Sequence, residues 1–202
     1  MCDHAMTIAV TGGLGSGKST VSRILASYFR CELLDTDQLC RQQLQPGHEG
    51  MKRLGECFEG RFFCPDGTLD RQALRRAVFE DPEVKVQLEN ILHPIVRKIV
   101  ATSLREKEKR DEHLVVEVPL LYEVQWQDDF DECVVIFTPE SSVYKRVLLR
   151  SGLSFEEISL ILKAQIPIEE KRKYTRFIVD NSGTFVSTVL QTVTLCKRLS
   201  LC

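Results

Sequence analysis

The residues best suited to chemistry lie near the start of the sequence. Gly12-Gly13-Leu14-Gly15-Ser16-Gly17-Lys18-Ser19-Thr20 fits the pattern G-x-x-x-x-G-K-S/T, with Gly12, Gly17, Lys18 and Ser19 at its specified places. Glycine lets the backbone take positive φ and approach a phosphate closely. The N–H groups from Gly13 through Gly15, Ser16, Gly17, Lys18, Ser19 and Thr20 then form a concave anion nest at a helix N-terminus. Lys18 is placed to reach β- and γ-phosphates, and the Ser19 hydroxyl to take a position on a magnesium ion.

Three further groups fit the same chemistry. Asp35-Thr36-Asp37 follows a short apolar run, at the carboxyl end of a strand, where ligands bind in open α/β sheets. A carboxylate there can accept the proton of a hydroxyl as it attacks a γ-phosphate. Asp37 is the first candidate for that base and for a place on the metal. Asp35 is a candidate for acceptor contact, and the pattern does not choose between the two as base. The competing role for each is a turn acid or helix cap. Glu117 stands where an acid near the magnesium is expected. After it, Pro119, Leu120, Leu121 and Tyr122 form an apolar loop that either lines an acceptor pocket or packs in the core. Arg146 and Arg150 lie four apart on one helical face, with Lys163, Lys171 and Arg172 further on. Such a face either neutralises charge on a transferred phosphoryl group or is plain surface.

The elements that must position these residues follow from pattern. Thr7-Ile8-Ala9-Val10-Thr11 is a short β-branched run, and Val21, Ile24, Leu25, Tyr28 and Phe29 repeat at helical spacing behind the glycine loop. With Cys31–Asp35 as a second strand, the order strand, loop, helix, strand starts a doubly wound α/β sheet. Leu114–Val118, Cys133–Phe137 and Phe177–Asp180 supply three more strands. The chain between is helical. Asp70 and Asp81 read as N-caps, the second with Pro82 at the first helical position. Pro94 should kink or break the helix after His93. Ser154 with Glu157 reads as a capping box. The expected architecture is a P-loop NTPase-type three-layer parallel sheet. Its core is 1–37, 109–140 and 173–202, with a helical acceptor-binding insertion at 38–108 and a lid at 141–172.

A net charge of −2 over 202 residues gives no global basic excess to attract nucleic acid or a membrane surface. The first apolar run breaks at Gly12, and no basic leader precedes it, so a cytoplasmic protein acting on a small molecule is expected. The eight cysteines show no C-x-x-C pair or zinc spacing and read as free thiols. A regulatory GTPase would need N-K-x-D, which is absent. A nucleoside or nucleoside-monophosphate kinase, and a non-catalytic nucleotide switch, both remain compatible with the glycine loop.

The ordered set Thr11–Thr20, Asp35-Thr36-Asp37, Leu92-His93-Pro94, Val118-Pro119-Leu120-Leu121-Tyr122-Glu123, Arg146 with Arg150, Gln165-Ile166-Pro167 and Val179-Asp180-Asn181-Ser182-Gly183 resembles the dephospho-CoA kinase family. The resemblance covers nearly the whole chain. It implies ATP- and magnesium-dependent phosphorylation of the 3′-hydroxyl of dephospho-CoA. It also implies His93 at the acceptor and Asn181 at the nucleotide. The chain departs from the family pattern at Glu117, where Asp is common, at Ser151, and at Thr175-Arg176.

Overall fold

The computed structural model describes residues 5–201. The chain divides into two compact units, one made of residues up to Asp35 together with those from Leu104 onward, the other of Thr36–Ser103.

The first unit is built on five parallel strands: β1 (Thr7–Gly12), β2 (Glu32–Asp35), β3 (Leu114–Glu117), β4 (Glu132–Phe137) and β5 (Phe177–Asp180). Their order is β2-β3-β1-β4-β5, so β1 lies at the centre. The helices of this sheet unit are α1 (Lys18–Phe29), α6 (Glu140–Ser151), α7 (Phe155–Lys163), α8 (Ile168–Lys171) and α9 (Phe185–Leu199). Strand residues alternate between faces. On one face Ile8, Val10, Val115 and Val134 pack with Leu25 of α1 and Leu195 of α9. The residues of opposite parity, Ala9, Thr11, Val116 and Val135, are also completely buried. A parallel sheet covered on both faces needs such near-continuous apolar strands, and this is the α/β class that the sequence predicts.

Left-handed glycines bound the helices that follow β1 and β4. Gly17 caps α1 with φ +91°, and Gly152 closes α6 in the left-handed region at φ +63°. The capping box expected at the start of α7 is present: Ser154 Oγ accepts the Glu157 N–H, and Glu157 accepts the Ser154 N–H. α6 and α7 share a small apolar cluster of Val143, Val147 and Ile158, against which Leu14 of the glycine loop packs.

The second unit is helical: α2 (Thr36–Gln43), α3 (Glu49–Cys57), α4 (Arg71–Glu80) and the larger part of α5 (Pro82–Arg110). It has its own core around Leu54, Phe62, Leu74, Leu92 and Ile95. Asp70 caps α4 by accepting the Gln72 and Ala73 N–H groups. Asp81 does the same for Glu83 and Val84 ahead of α5. The break expected after His93 does not occur, for α5 runs unbroken through Pro94. A mid-helix proline costs about 3 kcal/mol. Ile91, Leu92, Ile95 and Val96, buried on both sides of it, offset that cost, since each full burial contributes about 1.5–3 kcal/mol.

Candidate active site

The glycine loop leaves β1 at Gly12 and enters α1 at Lys18. Two glycines are required where they stand. A Cβ on Gly15 (φ +63°) would lie 2.6 Å from Val147 Cγ2, and one on Gly17 would lie 2.2 Å from Asn181 Nδ2. Lys18 bends back over the loop, its Nζ donating to the carbonyls of Gly12 at 3.3 Å and Gly13 at 3.0 Å. Thr20 donates its N–H to the Gly17 carbonyl as α1 begins.

Ser19 Oγ donates to Glu117 Oε1 at 3.0 Å. Glu117 is the last residue of β3, aligned with Asp35 at the end of β2. It is 5% exposed. Burial pushes its carboxyl above the ordinary range and Asp35 adds to that, while the Lys18 cation and the Ser19 hydrogen bond oppose it. Serine and carboxylate oxygens at one place, beside a loop shaped for phosphate, are a hard-oxygen donor set. It suits magnesium, which takes one or two carboxylates together with phosphate and water.

The remaining expected residues fall in several places. Arg146 Nη2 donates to the Asn181 carbonyl at 2.7 Å, and its Nη1 lies 3.5 Å from Thr138 Oγ1. Arg150 is exposed in the last turn of α6. The Asn181 side chain is engaged at both ends: Nδ2 donates to the Ser16 carbonyl at 2.7 Å, and Oδ1 accepts from Thr188 Oγ1 at 2.6 Å. Thr138 Oγ1 reaches the same Ser16 carbonyl at 3.2 Å. Asn181 therefore buttresses the glycine loop from below. Of the loop after β3, Pro119 and Leu120 are partly exposed, whereas Leu121 is fully buried and Tyr122 nearly so, its ring 4.9 Å from that of Tyr174.

In the helical unit, Asp37 lies in the first turn of α2, which begins directly at the end of β2. His93 is half-buried in α5. Burial lowers its pKa, and Glu89 one turn earlier acts the other way.

Lys171, named above with Lys163 and Arg172, is completely buried. Its Nζ lies 2.7 Å from Glu123 Oε1 and donates to the Pro119 carbonyl at 3.1 Å. Burial lowers its pKa and the Glu123 carboxylate counteracts this. Thr138, Glu123, Gln165 and Thr188 also support the site. Thr138, Glu123 and Gln165 act through partners distant in the chain and Thr188 through Asn181 seven residues earlier, and the sequence pattern assigns none of these contacts. Thr175 and Arg176 are tied into the sheet, the first donating to the Cys133 carbonyl and the second pairing with Glu132.

The model of the dephospho-CoA kinase family matches residues 6–187. The dephospho-CoA kinase of Desulfotalea psychrophila is 38% identical, covering 92% of this chain and 94% of its own. Among solved structures, TT1252 from Thermus thermophilus superposes with a TM-score of 0.78 at 34% identity, covering 97% of this chain and 98% of that one. The dephospho-CoA kinase from Campylobacter jejuni superposes with a TM-score of 0.70 at 27% identity, over 96% and 97%. Glycine loop, sheet order and these matches along nearly the full length agree: the chain belongs to the dephospho-CoA kinase family.

Proposed function

We propose that the protein transfers the γ-phosphoryl group of ATP to the 3′-hydroxyl of dephospho-CoA, giving coenzyme A and ADP, the last step of coenzyme A biosynthesis. The family match over residues 6–187 carries this reading. The convergence of Lys18, Ser19 and Glu117 at the glycine loop supports it.

In this reading the loop N–H groups from Gly13 to Thr20 hold the phosphates. Lys18 exchanges the Gly12 and Gly13 carbonyls for the β- and γ-phosphates. Ser19 and an acid, Asp37 or Glu117, hold magnesium, which when bound neutralises charge on the transferred group. Asp37 accepts the proton of the 3′-hydroxyl as its oxygen forms the new bond to phosphorus and the bond to the β-phosphate oxygen breaks. Arg146 and Arg150 on α6 neutralise charge developing on the phosphoryl oxygens. We assign acceptor binding to the helical unit with His93, and to Asp35 and the Pro119–Tyr122 loop. We assign the lid to 141–172. We assign the protein to the cytoplasm; Cys31, Cys40, Cys57, Cys64, Cys133 and Cys196 are unbridged. No helix among the described residues is long and apolar enough to cross a membrane.

The test is product analysis. Purified protein with ATP, magnesium and dephospho-CoA should form ADP and coenzyme A in equal amounts, and neither without divalent metal. Faster transfer to nucleosides or nucleoside monophosphates would favour the other kinase class. Hydrolysis as fast without acceptor as transfer with it would defeat the proposal.

A further inference from the structure

Lys171 has no role in the chemistry above, yet it is fully buried and sits where three segments of the sheet unit meet. Its ammonium contacts Glu123 Oε1 and the Pro119 carbonyl. That same carbonyl accepts Thr11 Oγ1 at 3.2 Å, from the end of β1. The same Glu123 oxygen accepts the Ile166 N–H at 2.9 Å. The neighbouring Gln165 turns its side-chain oxygen onto the Leu14 N–H of the glycine loop, at 3.2 Å. One buried charge thus anchors the segment that touches the phosphate loop and the loop that leaves β3. Burying a lysine–glutamate pair is a poor route to stability, because desolvation consumes most of the attraction and apolar residues of like volume do as well. What this pair does is bring the Pro119 carbonyl and the Ile166 N–H onto one ammonium–carboxylate contact, although the other Glu123 oxygen, Oε2, is buried without a hydrogen-bond partner among the described residues.

We infer that Lys171 is a positioning residue for phosphoryl transfer. Through Glu123 and Ile166 it holds Gln165 on the glycine loop, and through Pro119 it holds the Pro119–Glu123 loop in register with β1. The inference rests on the kinase reading for its effect on turnover, not for its effect on the loop.

Two variants test it: Lys171→Met, and Glu123→Leu with Lys171→Met, which leaves no lone buried charge if the single variant is thermally weakened. Amide exchange at Leu14 and Ile166 should quicken about ten-fold or more in both, while Val10 and Val116 in the central strands stay protected. Turnover at saturating ATP and dephospho-CoA should fall about ten-fold or more in whichever variant keeps the native melting temperature, with each KM moving about three-fold or less, as misplacement by a fraction of an ångström demands. Native exchange at Leu14 and Ile166, or native turnover in either variant, overturns the inference. Wild-type protein inert toward dephospho-CoA would remove the kinase reading alone, since the two amides still decide the positioning.

Discussion

Ser19 and Glu117 stand 98 residues apart in the chain and are joined at 3.0 Å, the serine hydroxyl donating to a buried carboxylate at the end of the neighbouring strand. The register explains the meeting. Val10 of β1 pairs with Glu117 of β3, so the acid lies beside the strand that feeds the loop. The bond fixes the direction of the Ser19 hydroxyl at the start of α1. Glu117→Gln keeps the shape and removes the charge. We predict that the magnesium concentration for half-maximal activity rises, or turnover falls, by at least about 10- to 100-fold, the effect of losing a partner that orients a metal ligand and the lower bound if Glu117 itself holds the ion. A magnesium titration that superposes on the wild-type curve would exclude this role.

Much of that arrangement is legible in local sequence. Gly15 and Gly17 are demanded by positive φ and by close neighbours, and Lys18 and Ser19 follow at fixed offsets. Asp70, Asp81 and Ser154 cap helices where their patterns place them. The unread part consists of contacts between segments far apart. Asn181 grips the Ser16 carbonyl across 165 residues, and Lys171 reaches the Pro119 carbonyl across 52. No period or propensity encodes such pairs. Glu169-Glu170-Lys171-Arg172 looks like a solvated run, and three of its four residues are exposed. The break expected at Pro94 fails for the opposite reason, since a local rule yields there to the burial of Ile91, Leu92 and Ile95.

Asp37 and Asp35 can be separated by matched amides. Asp37→Asn keeps size and loses the proton acceptor, so turnover should fall by roughly 10²–10⁴-fold with less effect on ATP affinity. Asp35→Asn should act mainly on the KM for dephospho-CoA. A dead Asp35→Asn beside a nearly native Asp37→Asn would reverse the assignment of the base.

His93 should make stability sensitive to mild acid. Burial disfavours its imidazolium, so its folded pKa lies below the ordinary 6.5. The unfolded chain therefore binds more protons in the window beneath pH 6.5. Stability carried by neutral His93 is present above that window and is lost as pH falls through it. Urea midpoints should drop between pH 7.5 and 5.5 for the wild type, and drop less for His93→Gln. Equal drops in the two proteins would show that the burial of His93 is not what the acid acts on.

Arg146 and Arg150 share a helical face but not a structural position, and this separates their roles. Arg146 is fastened to the Asn181 carbonyl, and Asn181 supports the Ser16 carbonyl of the glycine loop. Arg146→Ala should therefore lower both stability and turnover, the first by about 1.5–3 kcal/mol if the bond to the guanidinium contributes as charge-assisted bonds do. Arg150 is exposed at the end of α6, one turn closer to Gly152. On the proposed role its guanidinium would be drawn to polyphosphate, and its contribution would be confined to a nucleotide-bound state. Arg150→Ala should keep the melting temperature within about 2 °C, as surface changes do. Turnover should fall about 100-fold, as for loss of one transition-state charge contact, with dephospho-CoA binding little changed. Hydrogen exchange over 141–170 should slow when ATP and a non-reactive acceptor are added together, and slow less in Arg150→Ala. If protection stays confined to the glycine loop in both proteins, α6 and α7 do not close over the nucleotide, and Arg150 is a surface residue with no part in the transfer.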